Sequence, residues 1–403
     1  MNLLYNLAAV QPIHNAKFHG GGSYGEVVFW ALLARLYSDA AIQNENFKMF
    51  CIYDGKKYLN TNIIFACEKY GIPLLDINEN LPQEMIEKHK INTFYTPLYS
   101  LEKKWRMNVE KYVFTWHGVR ALEMRYSRLG IAFAKTISRK VEALVRYRDF
   151  WKKFYYKPKY NSLANQIAKG EVQAMTVSEH SRASIKAFFP ELMPAEIPVF
   201  YSPMAENEAH GSLVEDIESK NYFLLTSGAR WEKNNLRAAM AFDELIPSLQ
   251  TKQSQANFKM VITGVTDKKI YTKKLRHKDR FVFLNYVENE QLEFLHQNAY
   301  AFIFPSLNEG FGYPPVQSMR YGVPVAASGT TSIPEICGNA ALYFDPYSVS
   351  EIKNRIIQLL DSKIYKDYSE RAKHRYGEVR ERQKEDLEKA VDFILGTEPV
   401  IKI

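Results

Sequence analysis

YAFIFPSLNEGFGYPPVQSMRYGVPVAAS, Tyr300 to Ser328, is the stretch that decides the fold. It opens with a continuous apolar run, YAFIFPS, of the kind that forms a strand covered on both faces. NEGFG then reads as the turn at its carboxyl end. Pro314 and Pro315 suit the first positions of a helix, where no amide hydrogen is required. VPVAAS resumes as the next buried strand. Within the turn, Gly310 and Gly312 let the backbone approach a ligand closely, with helix-start amides behind them. Glu309 lies in the turn and Gln317 about one helical turn further on, so both can reach one bound molecule. Glu309 would accept hydrogen bonds from hydroxyls, as in sugar binding, or would cap the turn.

The same alternation runs outward in both directions. YFLLTS, FKMVITG, RFVFLNYV and AALYF read as further strands of this half, separated by helical patterns such as Asn235 to Gln250. In the first half NLLYNLAAV, FKMFCIYD, IPLLDI, NTFYTPL, KYVFTWHG, QAMTVSE and IPVFYSP read as strands. A polar, acidic stretch, Met204 to Asn221, interrupts the pattern. The expected architecture is two doubly wound, Rossmann-like α/β domains in tandem. Their expected bounds are 1–204, a linker 205–221, 222–385, and a C-terminal helical tail 386–403 that packs back on the first domain.

The 403 residues, 46% hydrophobic and 14% aromatic, suffice for two large cores. Three cysteines without paired spacing suggest neither a disulfide framework nor a zinc site, and a reducing cytoplasm fits. Neither a signal peptide nor a spanning helix is expected. The net charge of +8 is concentrated: Arg125 to Tyr160 holds eleven Lys and Arg against Glu142 and Asp149.

Ligands of open parallel sheets bind beyond the carboxyl ends of the strands, which singles out three further places. HGGGSYGE puts Gly20, Gly21 and Gly22 before a helix, either as an anion-binding approach or as a plain turn. WHGVR places His117 at a strand end, where it can bind a polar ligand or serve the structure alone. GARWEKNN places Arg230 and Lys233 around a helix start, a suitable clamp for phosphate or else a solvated loop.

The segment PSLNEGFGYPPVQSMRYGVPVAASGTTSIPEICGNAALYFDP closely resembles the signature of the retaining GT-B glycosyltransferases of family four, the glycosyl transferases group 1. LLTSGARWEKNNLRAA, VFLNYVENEQLEFLHQNAYAFIFPS and MTVSEHSRASIKAFFP resemble it as well, while the first half matches in outline only. The resemblance implies a GT-B fold with its two domains facing a central cleft. It also implies a transferase that moves a sugar from a nucleotide diphosphate donor with retention of configuration. Arg230 and Lys233 would hold the diphosphate, Glu309 the sugar hydroxyls, and the backbone of Gly310, Phe311 and Gly312 the sugar and phosphate. Tyr286 and Val287 would lie at the base, Gly21 and Gly22 at the diphosphate, and His117 at the sugar. The family's second motif Glu, which binds ribose, is Gln317 here.

An amide at that place offers one accepting oxygen, so a deoxyribose, with its single hydroxyl, suits it better than a vicinal diol. A dTDP-deoxyhexose donor is therefore expected, with uridine or guanosine diphosphate sugars as alternatives. No metal or other cofactor is expected, because no D-x-D is present and the cations can meet the charge on the diphosphate. The acceptor would be an oligosaccharide or lipid-linked glycan in bacterial surface polysaccharide assembly, by analogy with the family. A GT-B phosphorylase or a nucleotide-sugar epimerase would share this architecture. A nucleic-acid-binding protein is the alternative of another class, and nucleic acid is not the expected partner. In residues 125–160 apolar and basic side chains share a helical pattern, which suggests a peripheral site on the anionic inner membrane face, or else packing on the first domain.

Overall fold

The computed structural model describes residues 1–12, 20–37, 47–79, 82–98, 108–205, 207–211, 217–250 and 257–397. Parts of the expected linker (206 and 212–216) and the end of the tail lie outside them. Among the described residues twelve strands form two parallel sheets of six. The first holds β1 (Asn2–Asn6), β2 (Lys48–Tyr53), β3 (Leu74–Asp76), β4 (Thr93–Thr96), β5 (Lys111–Trp116) and β6 (Gln173–Thr176) in the order β3-β2-β1-β4-β5-β6. The second holds β7 (Tyr222–Leu225), β8 (Lys259–Ile262), β9 (Phe281–Phe283), β10 (Ala301–Phe304), β11 (Val325–Ser328) and β12 (Ala341–Phe344) in the order β12-β11-β10-β7-β8-β9. Both orders reverse direction once, at β1/β4 and at β7/β10. Those reversals are where doubly wound sheets open a crevice for ligands.

The continuous apolar runs follow from burial on both faces. In β7, Phe223 and Leu225 enter one core with Met260, Ile262 and Ile303, while Tyr222 and Leu224 enter the opposite core with Val261 and Phe302. Alternate residues of a strand point to opposite faces, so a sheet with helices on both sides needs apolar residues at every position.

Several elements depart from the sequence reading. IPVFYSP forms no sheet strand and contributes a single bridge, Val199 to Thr176. The expected helix Asn235 to Gln250 is two helices, Asn235–Asp243 and Ile246–Gln250. Pro247 explains the break, since it lacks an amide hydrogen and its ring opposes the carbonyl of the residue four before it, Asp243. Gly20, Gly21 and Gly22 lie inside the helix Gly20–Tyr37 rather than ahead of it.

By contacts the chain divides into two units, 1–119 with 155–205 and 382–403, and 120–154 with 206–381. Residues 120–154, which the sequence reading assigned to the first domain, thus group with the second sheet. The cause is packing: Met124 and Tyr147 are buried against Leu307 and Trp231, and Leu129 and Phe133 lie on the core beneath β7. The long C-terminal helix, Ser362–Leu395, changes unit at Arg382, before the expected tail begins. Its last turns are tied to the first unit by Gln383 Nε2 donating to the Ser202 carbonyl (2.6 Å) and by Arg35 to Asp392 (2.6 Å).

Candidate active site

The carboxyl ends of β7 and β10 lead into two loops that are bonded to each other. The Leu307 amide donates to the Glu232 carbonyl at 2.9 Å. Asn234, in the left-handed region at φ +60°, donates from Nδ2 to the carbonyls of Pro305 (3.0 Å) and Pro346 (2.7 Å). These bonds hold the β7 loop against the ends of β10 and β12.

Between the loops lies a buried ion pair. Lys233 Nζ donates to Glu309 Oε1 at 2.5 Å, and Ser306 Oγ donates to the same oxygen at 2.6 Å. Both side chains are about nine-tenths buried. Burial pushes the Glu309 carboxyl up, but the charges of Lys233 and Arg120, with the bonds from Lys233 and Ser306, outweigh it and hold it below its ordinary value. Burial lowers Lys233, and Glu309 only partly restores it. Among the described residues Glu309 Oε2 accepts no hydrogen bond, so it remains available to a hydroxyl.

The Glu309 turn is clamped from the loop after β11. Thr331 Oγ1 accepts from the Glu309 amide (3.1 Å), and Ser332 Oγ donates to the carbonyls of Glu309 (3.1 Å) and Phe311 (2.7 Å). Thr331 has φ +54°, costly for a β-branched residue and tolerated where surrounding bonds enforce it. Gly312, at φ +118°, caps the helix Tyr313–Arg320. A Cβ added to it would meet nothing within 4 Å, so open space faces this backbone.

Arg230 donates through Nε and Nη2 to Glu232 Oε1 at 2.9 and 2.8 Å. Arg120 Nη1 lies 3.8 Å from the same oxygen, and its Nε is 3.4 Å from Asn308 Oδ1. Asn308 in turn donates to Glu123 at 2.6 Å. Arg120, Glu123, Glu232, Ser306 and Thr331 escaped the sequence reading. Arg120, Glu232, Ser306 and Thr331 all stand inside quoted motifs, but Arg120 lay in a segment read as first-domain and so was not joined to the other three.

The expected residues fall into two groups. Arg230, Lys233, Glu309, Gly310, Phe311, Gly312 and Gln317 all lie on the β7 and β10 loops or the helix that follows, in the second unit. Tyr286 and Val287 follow β9 in that unit, three and four residues past a strand that stops at Phe283. His117, Gly21 and Gly22 belong to the first unit. There His117 Nε2 bonds the Pro97 carbonyl (2.9 Å), and the ring meets Tyr24 edge-on at 4.8 Å.

Gln317 has a partner that the sequence did not announce. Its Nε2 donates to Glu293 Oε1 at 3.0 Å, while Glu293 Oε2 accepts from Tyr321 (2.9 Å) and lies 3.9 Å from Arg320. A carboxylate only accepts, so Gln317 must turn its nitrogen to Glu293 and its oxygen elsewhere. Gln317→Glu would set two carboxylates together beside the buried Glu293, pushing one of them up. A carboxyl raised in the folded state gives stability that is full below the unfolded value and lost as pH rises through the folded one. The variant is therefore expected to melt near the wild type at about pH 4 and to be weaker by about 1 kcal/mol or more at neutral pH. Thermal unfolding across pH measures this, and a constant gap would contradict it.

Residues 214–375 match the family model of the glycosyl transferases group 1. The O-antigen chain mannosyltransferase B of Escherichia coli is 41% identical over 85 residues, 21% of this chain and 22% of that protein. The O-antigen chain mannosyltransferase RfbU of Salmonella typhimurium is 28% identical over 197 residues, 48% of this chain and 52% of that protein. The chain thus matches between about a fifth and about half the length of these curated relatives. Among solved structures, WaaG, a glycosyltransferase involved in lipopolysaccharide biosynthesis, superposes with a TM-score of 0.63 at 13% identity, covering 98% of this chain and all of that one (100%). HepE of Anabaena, in complex with UDP and glucose, gives 0.61 at 12% identity, covering 98% of this chain and 100% of its own. The two Rossmann-like units have the GT-B architecture.

Proposed function

We propose that the protein transfers a sugar, with mannose favoured, from a nucleotide diphosphate donor to a glycan acceptor in surface polysaccharide assembly, with retention of configuration. The observation that carries this reading is the Lys233–Glu309 pair at the β7/β10 reversal, with Arg230 and Arg120 beside it. The mannosyltransferase relatives favour the mannosyl group and the glycan acceptor. In the reaction the bond from the sugar's anomeric carbon to the phosphate breaks, and a bond to the acceptor oxygen forms on the same face. The acceptor's proton goes to the departing phosphate oxygen, so no separate protein base is required.

Three cations, Arg120, Arg230 and Lys233, share two carboxylates, Glu232 and Glu309, leaving a positive excess for the diphosphate. As charge develops on the leaving group, Arg230 and Lys233 stabilise it within fixed geometry. Glu309 Oε2 takes a sugar hydroxyl. Tyr286 and Val287 flank the base. Because side-chain cations meet the charge, transfer is proposed to need no metal, and turnover should be unchanged by a chelator. A thymidine base on the donor rests on Gln317, which keeps one accepting oxygen once Glu293 holds its nitrogen, and a deoxyhexose on that base is the alternative to mannose.

A thermal-shift panel of thymidine, uridine and guanosine diphosphates and their sugars tests the reading, since a ligand that binds the folded state raises the melting temperature. Stabilisation by one sugar nucleotide, followed by transfer of its sugar with inorganic phosphate absent, is expected. A requirement for phosphate would instead indicate a phosphorylase, and product without acceptor an epimerase. Equal stabilisation by all three bases would remove the thymidine preference.

A further inference from the structure

Residues 120–154 are anchored by Met124, Leu129, Phe133 and Tyr147, yet they carry a second set of apolar side chains that the protein leaves uncovered. The helix Ile137–Val145 buries none of its residues. Ile137, Val141 and Leu144 are 81%, 56% and 43% exposed, at a spacing that puts them on one helix face. Phe150 and Phe154 continue the exposed set at 51% and 73%. Scattered exposed apolar residues are ordinary, but five within eighteen positions are a patch.

The charge around that patch identifies what covers it. Lys135, Arg139, Lys140, Arg148 and Lys153 are exposed in the same stretch. Its two acidic residues are engaged locally, Glu142 with Arg146 at 3.0 Å and Asp149 with Lys152 at 3.7 Å. Within its own unit the face is uncovered, which is what a docking surface requires. A nucleic acid would use the cations but has no place for three aliphatic side chains in a row. A bilayer uses both, with acyl chains for the apolar face and anionic headgroups for the flanking cations. We propose that residues 135–154 dock on an anionic phospholipid surface, with Ile137, Val141 and Leu144 inserted at the headgroup boundary. Docking is peripheral, as no helix among the described residues is long and apolar enough to cross a membrane.

This inference does not depend on the transfer reading, because flotation needs no sugar donor. The full chain is mixed with vesicles of phosphatidylcholine alone or with phosphatidylglycerol, at low and high salt. It is expected to float with the anionic vesicles at low salt, to bind far less at high salt, and to ignore the neutral ones. Ile137→Ser with Val141→Ser, which leaves the charge unchanged, should abolish flotation. Arg139→Gln with Lys140→Gln should lower partitioning roughly 30-fold, at about 1 kcal/mol per basic residue. All four side chains are exposed, so unchanged melting temperatures are expected and show that folding is not at issue. Absence of flotation at low salt overturns the proposal, as does flotation undiminished in both variants. Binding of an RNA homopolymer without binding of vesicles would replace it with a nucleic-acid surface.

Discussion

Glu309→Ala is expected to abolish transfer and also to cost about 3 to 5 kcal/mol of stability, because it strands the buried Lys233 ammonium without its partner. From sequence alone both residues would be taken for ligand-facing turn positions whose loss spares the fold. Their burial overturns that expectation. The two effects can be separated. Lys233→Met combined with Glu309→Leu removes both charges and should recover most of the stability, since apolar replacement of a buried pair is often neutral or better, yet remain inactive. Chemical denaturation and turnover on the two single variants and the double variant measure this. Near-normal turnover in Glu309→Ala would reject the site assignment. A pH dependence should accompany the stability loss. Glu309 is held below its ordinary value, so its contribution is present above the unfolded value and lost as pH falls through the folded one. The gap between wild type and Glu309→Gln should therefore narrow in acid, below about pH 4.

Arg230→Ala should lower turnover by about 100-fold or more while weakening donor binding much less, as loss of a group stabilising developing charge typically does. Its effect on the fold should contrast with that of Glu309. The Arg230 side chain is 47% exposed and paired with Glu232 near the surface, and such a pair contributes less than about 1 kcal/mol. Arg230→Lys keeps the charge but loses the planar fork, so partial recovery is expected. Steady-state kinetics decide: a raised KM with unchanged kcat would mean that Arg230 binds donor and transition state alike, contrary to the role assigned to it.

What could be read from sequence was local. The strand, turn and helix around Glu309 were legible because each position carries its own constraint: apolar runs for a two-faced sheet, Gly312 for a φ of +118°, prolines where no amide is needed. The break at Pro247 was legible by the same rule and was passed over in favour of the apolar period. Arg230 and Lys233 could be named because they follow a strand, the place where such sheets bind ligands.

The sequence by itself thus determined two parallel α/β units and the loops that form the candidate site. Tertiary structure alone decided the partners. Lys233 meets Glu309 across 76 positions, Asn308 meets Glu123 across 185, and Gln317 meets Glu293 rather than standing alone. Arg120 joins the site because Met124 and Tyr147 find their burial on the second unit. The physical reason is that strand order determines which loops emerge side by side at β7 and β10, and burial then forces each charge there to find a partner.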